Sequence, residues 1–125
     1  MIQELDAEGW VARLRETPRP GTDNVLAFYE HRMGAICREP KLMLAPLDDH
    51  LVHRGDGVFE SLRMAEGRIL QLDAHIARLK DSSAVIGLTP PCPWEEIRTI
   101  LLEVARAAGT PDGGLKLLLG RGGGG

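Results

Sequence analysis

The chain has 125 residues, of which 43% are hydrophobic and 26% charged, a composition typical of one globular domain rather than of a disordered chain. Its net charge of −3 argues against binding to nucleic acid, and no apolar run is long enough to cross a membrane. Two cysteines are too few for a disulfide scaffold, and the N-terminus does not resemble a signal peptide, so we expect a cytoplasmic protein.

Three segments have the apolar spacing that predicts a helix. The first covers residues 2–15 and ends before two prolines. The second covers residues 73–87, with Asp73 as its N-cap and an inward face that consists of Ile76, Leu79, Ser83 and Ile86. The third covers residues 93–109, where a proline begins the helix and a glycine ends it.

The segments between the helices have the pattern of strands. Residues 24–32 and 35–37 predict one hairpin, and residues 57–64 and 68–72 predict a second hairpin around a glycine-containing turn. A last strand is predicted over residues 115–121. We therefore expect an α+β fold, with a largely antiparallel sheet and two or three packed helices. The predicted domain covers residues 21–125, preceded by a helix and linker over residues 1–20.

The alternation of side chains in the strand over residues 57–64 predicts two different faces. The face expected to pack on the helices holds Val58, Glu60, Leu62 and Met64. Burial of Glu60 there would be costly unless its carboxylate accepts hydrogen bonds. Phe59 lies on the opposite, more polar face, where it could line a pocket or pack against a neighbouring strand.

Two further groups of polar residues have alternative interpretations. Arg78 points away from the apolar face of its helix, so it is either a solvated arginine or a ligand for phosphate. His50 and His53 could bind a metal ion with nearby carboxylates, but the segment offers no second pair of ligands, so we predict no metal site. The metal hypothesis would require a metal-dependent melting temperature.

Four motifs resemble the N-terminal, small domain of the fold-type-IV, class IV pyridoxal-phosphate aminotransferases. They are HRGDGVFESLR at 53–63, GRILQL at 67–72, DAHIARL at 73–79 and the closing Gly120-Arg121-Gly122. They occur in the order of that family, which includes branched-chain aminotransferases, D-amino acid aminotransferases and aminodeoxychorismate lyases. The resemblance covers residues 24–125.

The resemblance implies roles for four residues. Arg78 matches the arginine that binds the phosphate of the cofactor, pyridoxal 5′-phosphate. Phe59 matches the aromatic residue that lines the substrate pocket, and Arg54 lies where other members carry an aromatic residue beside that pocket. Arg121 matches an arginine near the substrate carboxylate. The resemblance also implies a homodimer that acts on an amino acid and a 2-oxo acid.

The family needs a lysine that holds the cofactor, and it lies beyond the closing strand, in a larger second domain. Lys41, Lys80 and Lys116 do not match it. We therefore expect the N-terminal part of a transaminase, inactive alone, although the terminal glycines could also be a disordered tail. Aminodeoxychorismate lyase activity and a stand-alone, non-catalytic interaction module are the alternatives.

Overall fold

The computed structural model describes residues 1–123; the last two residues of the terminal glycine run, for which we considered a disordered tail, lie outside that range. The helices are α1 (Ala7–Glu16), α2 (His50–Arg54), α3 (Leu72–Val85) and α4 (Trp94–Ala108), with a short 3-10 helix at Pro40–Leu42. The strands are β1 (Phe28–Glu30), β2 (Ala35–Cys37), β3 (Gly57–Ala65), β4 (Arg68–Ile69) and β5 (Gly113–Gly120). These elements confirm the predicted α+β fold.

The strands of the described residues form two antiparallel sheets. The larger sheet has the order β4-β3-β5, and β3 pairs with β5 from Gly57 opposite Gly120 to Met64 opposite Gly113. The turn between β3 and β4 uses Glu66 at φ 53° and Gly67 at φ 77°, the left-handed pair typical of a two-residue hairpin. The second sheet is the predicted hairpin, but β1 covers only Phe28–Glu30 of the predicted residues 24–32. The other strands also differ in length: β4 ends at Ile69 rather than at residue 72, where α3 already begins, and β5 covers Gly113–Gly120 rather than residues 115–121.

The core lies between the inner face of the larger sheet and helices α3 and α4. As the alternation predicts, Leu62 and Met64 of β3 are buried, whereas Phe59 is exposed on the other face. Leu79 of α3 is completely buried, and α4 contributes Ile97 and Leu101. Both helices therefore cover one face of the sheet and leave the other open.

Helix α1 is shorter and less packed than the sequence predicts. It begins at Ala7 rather than at residue 2, because the Asp6 carboxylate accepts a hydrogen bond from the Gly9 N–H at 2.8 Å and caps the helix there. None of its residues is buried, and Trp10 is 67% exposed. The predicted apolar face of this helix therefore does not join the core.

Helix α3 begins one residue earlier than predicted, and its N-cap is different. Gln71, at φ 56°, precedes the first helical residue, Leu72, so the prediction of Asp73 as N-cap is wrong. Asp73 lies in the first turn and forms an exposed ion pair with Arg98. At the other end Ile86 follows the last helical residue and is 40% exposed, so it does not complete the predicted inward face. Helix α4 matches its prediction.

Helix α2 was not predicted, because the sequence there looks like a loop. It forms because the Asp49 carboxylate caps the N–H of Leu51 at 2.8 Å and Gly55, at φ 63°, ends the helix. Its Leu51 lies against the end of the sheet, where a β-carbon at Gly57 would be only 2.6 Å from Leu51 Cδ1. Glycine at that position therefore allows α2 to sit against β3.

None of the described helices is long and apolar enough to span a bilayer.

Candidate functional site

A hydrogen-bonded polar cluster joins β3 to α3. Glu60 of β3 is only 6% exposed, and its carboxylate accepts hydrogen bonds from two residues of α3. Arg78 Nε donates to Oε1 at 3.0 Å and to Oε2 at 3.1 Å, and Arg78 Nη2 donates to Oε1 at 2.7 Å. His75 Nδ1 lies 2.7 Å from Oε1. The expectation that a buried Glu60 must be hydrogen-bonded is therefore confirmed.

These contacts control the charge of Glu60. The hydrogen bonds from Arg78 lower the pKa of Glu60, against the opposing effect of burial, and the contact with His75 lowers it further. The same carboxylate raises the pKa of Arg78. The pair is therefore ionised at neutral pH, with the anion inside the domain and the cation at its surface.

Arg78 keeps one side of its guanidinium free. Its side chain is 67% exposed, which confirms the outward orientation predicted from the helix periodicity. Nε and Nη2 point at Glu60, whereas Nη1 donates to no acceptor among residues 1–123. An oxyanion such as phosphate could accept two hydrogen bonds from the free Nη1–Nη2 side.

Phe59 lies on the opposite face of β3 from this cluster. It is 61% exposed and faces Leu118, its partner on β5, which is 57% exposed. Lys116 Nζ lies 5.6 Å from the centroid of the Phe59 ring, within the range of a cation–π contact. The structure therefore places Phe59 in an open apolar patch, with a cross-strand neighbour, and not beside Arg78.

The other two predicted substrate residues lie near α2. Arg54 is the last residue of α2 and is exposed. Arg121 directly follows β5, and all three of its guanidinium nitrogens donate to protein acceptors. Nε contacts Asp56 Oδ2 at 2.7 Å, Nη2 the carbonyl of Ile86 at 2.9 Å, and Nη1 the carbonyl of Gly87 at 3.4 Å. Arg121 therefore joins the start of β3 to the end of α3.

Asp56 is the carboxylate partner that sequence reasoning missed. The hydrogen bond from Arg121 lowers the pKa of Asp56, an effect that its partial burial opposes. The two residues are 65 positions apart, so no local pattern could have paired them. His75 was missed as well, although its spacing of three from Arg78 puts both on one side of α3.

The two histidines considered as metal ligands lie side by side on α2. The ring centroids of His50 and His53 are 5.3 Å apart, and His50 Nδ1 is 4.0 Å from Asp56 Oδ2. Over residues 1–123 the structure brings no three histidine, cysteine or carboxylate side chains close enough to share a metal ion.

The three lysines lie in different places. Lys41 Nζ donates to the carbonyl of Arg15 at 2.6 Å, Lys80 is exposed on α3, and Lys116 lies over Phe59. None of the three belongs to the hydrogen-bonded cluster of Glu60, His75 and Arg78.

Known proteins resemble this chain in sequence. Residues 57–125, more than half of the chain, match the family described as amino-transferase class IV. A D-amino-acid transaminase of Arabidopsis thaliana is 36% identical over 102 residues, which cover 82% of this chain and 27% of that protein. A bifunctional aminodeoxychorismate lyase / D-amino acid transaminase of Mycobacterium tuberculosis is 34% identical, over 67% of this chain and 30% of its own length.

A solved structure resembles the fold. The hypothetical aminotransferase from Mycobacterium tuberculosis, in its alpha-ketoglutarate and PMP bound form, superposes with a TM-score of 0.65 and 33% identity, over 73% of this chain and 32% of that one. The same protein is also known in a PLP-bound form. This chain spans about a third or less of the length of these relatives. The sequence match and the shared fold agree: the chain belongs to the class IV aminotransferases, a family that uses pyridoxal phosphate.

Proposed function

We propose that this chain is the small domain of a pyridoxal-phosphate aminotransferase, which exchanges an amino group between an amino acid and a 2-oxo acid. The single observation that carries the proposal is the guanidinium of Arg78, fixed on one side by buried Glu60 and free on the other. Family membership and relatives named as D-amino-acid transaminases support the same activity. The role of this domain would be to hold the cofactor phosphate and to form part of the substrate pocket.

The residues present fit the phosphate of the cofactor. A free Nη1–Nη2 side, carried by an exposed cation, suits a doubly charged phosphate, and Arg78 stays protonated at any physiological pH. When bound, pyridoxal phosphate supplies the electron sink of the reaction. The part that this chain plays is to bind and orient: Arg78 holds the phosphate, and Phe59 offers an apolar surface to the substrate side chain.

The two remaining arginines, Arg54 and Arg121, differ in how far protein contacts restrain their side chains. Arg54 is exposed and has room to border a substrate pocket, as the family resemblance suggests. Arg121 uses three of its five N–H donors, in its contacts with Asp56 and with the carbonyls of Ile86 and Gly87. We therefore propose that Arg54 is the more mobile of the two at the edge of the pocket. Arg121 would contact a substrate carboxylate through its two remaining N–H donors while its protein contacts hold it in place.

We further propose that none of the three lysines holds the cofactor. Lys41 is bound to a carbonyl, Lys80 is exposed, and Lys116 lies over an aromatic ring. Incubation of the 125-residue chain with pyridoxal phosphate, reduction with borohydride and peptide mass spectrometry should find no stoichiometric label on any lysine. Stoichiometric labelling of one lysine would overturn this part of the proposal.

An amino-transfer assay on the complete gene product tests the activity itself. We expect a 2-oxo acid and a new amino acid to form from D-alanine or leucine with 2-oxoglutarate. Replacing Arg78 by alanine should raise the concentration of pyridoxal phosphate required for half-maximal rate. Arg106→Ala serves as a matched control, because Arg106 is also an exposed helix arginine in an ion pair, with Glu103. Equal effects of both substitutions would contradict the phosphate role.

Aminodeoxychorismate lyase activity is the second candidate. It is supported by the Mycobacterium tuberculosis relative, whose name combines the two activities. Release of 4-aminobenzoate from aminodeoxychorismate by the same gene product, without amino transfer, would favour the lyase.

We also propose that the complete protein is a homodimer in the cytoplasm. Light scattering tests the dimer, and cell fractionation tests the location. A stable, folded monomer that binds neither pyridoxal phosphate nor amino acid would instead favour a non-catalytic interaction module.

A further inference from the structure

We infer that Glu60 is the positioning residue of Arg78: it occupies the Nε–Nη2 side of the guanidinium, so that phosphate is received at the Nη1–Nη2 side alone. This inference rests on the proposed function, in which Arg78 binds the cofactor phosphate. It assigns a specific task to a buried carboxylate that does not itself contact the ligand.

The carboxylate is well suited to fix an otherwise mobile side chain. Glu60 is 6% exposed, and its residue pairs with Leu117 in the middle of the β3–β5 ladder. His75 Nδ1 holds Oε1 from the adjacent turn of α3, at 2.7 Å. Backbone and side chain of Glu60 are therefore both restrained, whereas Arg78 is 67% exposed and would sample many rotamers without it.

The shape of the guanidinium explains why this position requires arginine. A planar guanidinium has two sides that each present two N–H donors, so it can contact Glu60 and phosphate at the same time. The Nε and Nη2 contacts to Glu60 leave Nη1 and the second Nη2 hydrogen for the ligand. A lysine at position 78 would present one compact, rotatable ammonium group, which lacks the two opposed sides that fix Glu60 and phosphate in separate directions.

The negative charge of Glu60 would repel a bound phosphate. Two features weaken this repulsion: the carboxylate is shared between Arg78 and His75, and it lies on the other side of the guanidinium from the phosphate. The benefit is orientation, since the arginine is held in place before the ligand arrives. Because repulsion and orientation act in opposite directions on phosphate affinity, the positioning role is tested by the order of the Arg78 side chain as well as by affinity.

The test is NMR on the nitrogen-15-labelled 125-residue chain, which follows the Arg78 side-chain N–H signals while inorganic phosphate is added. We expect Arg78 Hε to exchange with water about tenfold or more slowly than Hε of Arg98, whose partner Asp73 is exposed. Phosphate should shift the Nη1 signals and leave Nε–Hε in place. Glu60→Gln should restore fast exchange at Hε, whereas Asp73→Asn should leave Arg78 unchanged.

The outcomes separate the two proposals. Fast Hε exchange in the unaltered chain, or a phosphate shift at Nε instead of Nη1, would overturn the positioning role even if phosphate binds. A slowly exchanging Hε with no response of Arg78 to phosphate would overturn the phosphate role of Arg78, and the inference would fail with it. Because the first measurement is made on the unaltered chain, a Glu60→Gln variant that fails to fold does not prevent the decision.

Discussion

Glu60 and Arg78 are bound to each other by three hydrogen bonds although one side chain is 6% exposed and the other 67%. A buried anion is thus neutralised by a cation that remains in water. This relationship links the interior of the sheet to the surface of α3, and the proposed phosphate contact of Arg78 depends on it.

The first prediction concerns the pH dependence of stability. Because the pKa of Glu60 is lowered by Arg78 in the folded state, Glu60 contributes stability above its unfolded pKa of about 4.3 and loses it as the pH falls through the lower, folded pKa. Urea unfolding between acidic and neutral pH should therefore show a steeper acid loss for the wild type than for Glu60→Gln. Asp23→Asn, which removes an exposed carboxylate, is the charge control. Parallel curves for wild type and Glu60→Gln would contradict the prediction.

The second prediction concerns the core under α3. Leu79 is completely buried, so Leu79→Ala should leave a cavity and lower the free energy of unfolding by about 2–5 kcal/mol. Val85 lies on the same helix but is 85% exposed, and Val85→Ala should change it by less than about 0.5 kcal/mol. Chemical denaturation measures the free energy of unfolding of both variants. Similar decreases for the two would mean that α3 packs through a different face.

The third prediction concerns the contact between α2 and the sheet. A β-carbon at Gly57 would lie 2.6 Å from Leu51 Cδ1 and 2.7 Å from the Leu119 carbonyl oxygen, so Gly57→Ala should destabilise the domain by about 1–3 kcal/mol. Gly114→Ala, in the same sheet, would place its β-carbon an ordinary 3.8 Å from the nearest atom. We expect that control to be tolerated, and a tolerated Gly57→Ala would show that α2 does not sit this close.

The fourth prediction concerns Arg121. Lysine lacks the planar guanidinium whose three nitrogens contact Asp56 and two carbonyls, so Arg121→Lys should lower the melting temperature. Arg106→Lys, in an exposed pair on α4, should leave it unchanged. Differential scanning calorimetry of both variants measures this. An unchanged melting temperature for Arg121→Lys would instead favour an arginine free to bind substrate.

The sequence predicted the features that depend on local periodicity. The alternation in β3 assigned Glu60 to the inner face and Phe59 to the outer face, and the helix periodicity directed Arg78 outward. The hairpin after β3 and helix α4 were also predicted, because their turn and cap residues carry specific backbone preferences.

The features that were missed depend on contacts between distant residues. Asp56 and Arg121 meet only when β5 pairs with β3, and α2 is stabilised by packing of Leu51 against Gly57 as well as by its caps. The apolar residues of α1 suggested a packed face, but none of the residues of Ala7–Glu16 is buried. Periodicity shows that a face is apolar without showing what it packs against.

The most direct test of Arg78 as the phosphate ligand compares pyridoxal phosphate with pyridoxal, which lacks the phosphate. Equilibrium dialysis of the complete gene product should show that Arg78→Ala weakens binding of pyridoxal phosphate by about tenfold or more, because a charge-assisted contact is lost. Binding of pyridoxal should stay unchanged. Equal losses for both compounds, or no loss for either, would contradict a phosphate held by Arg78.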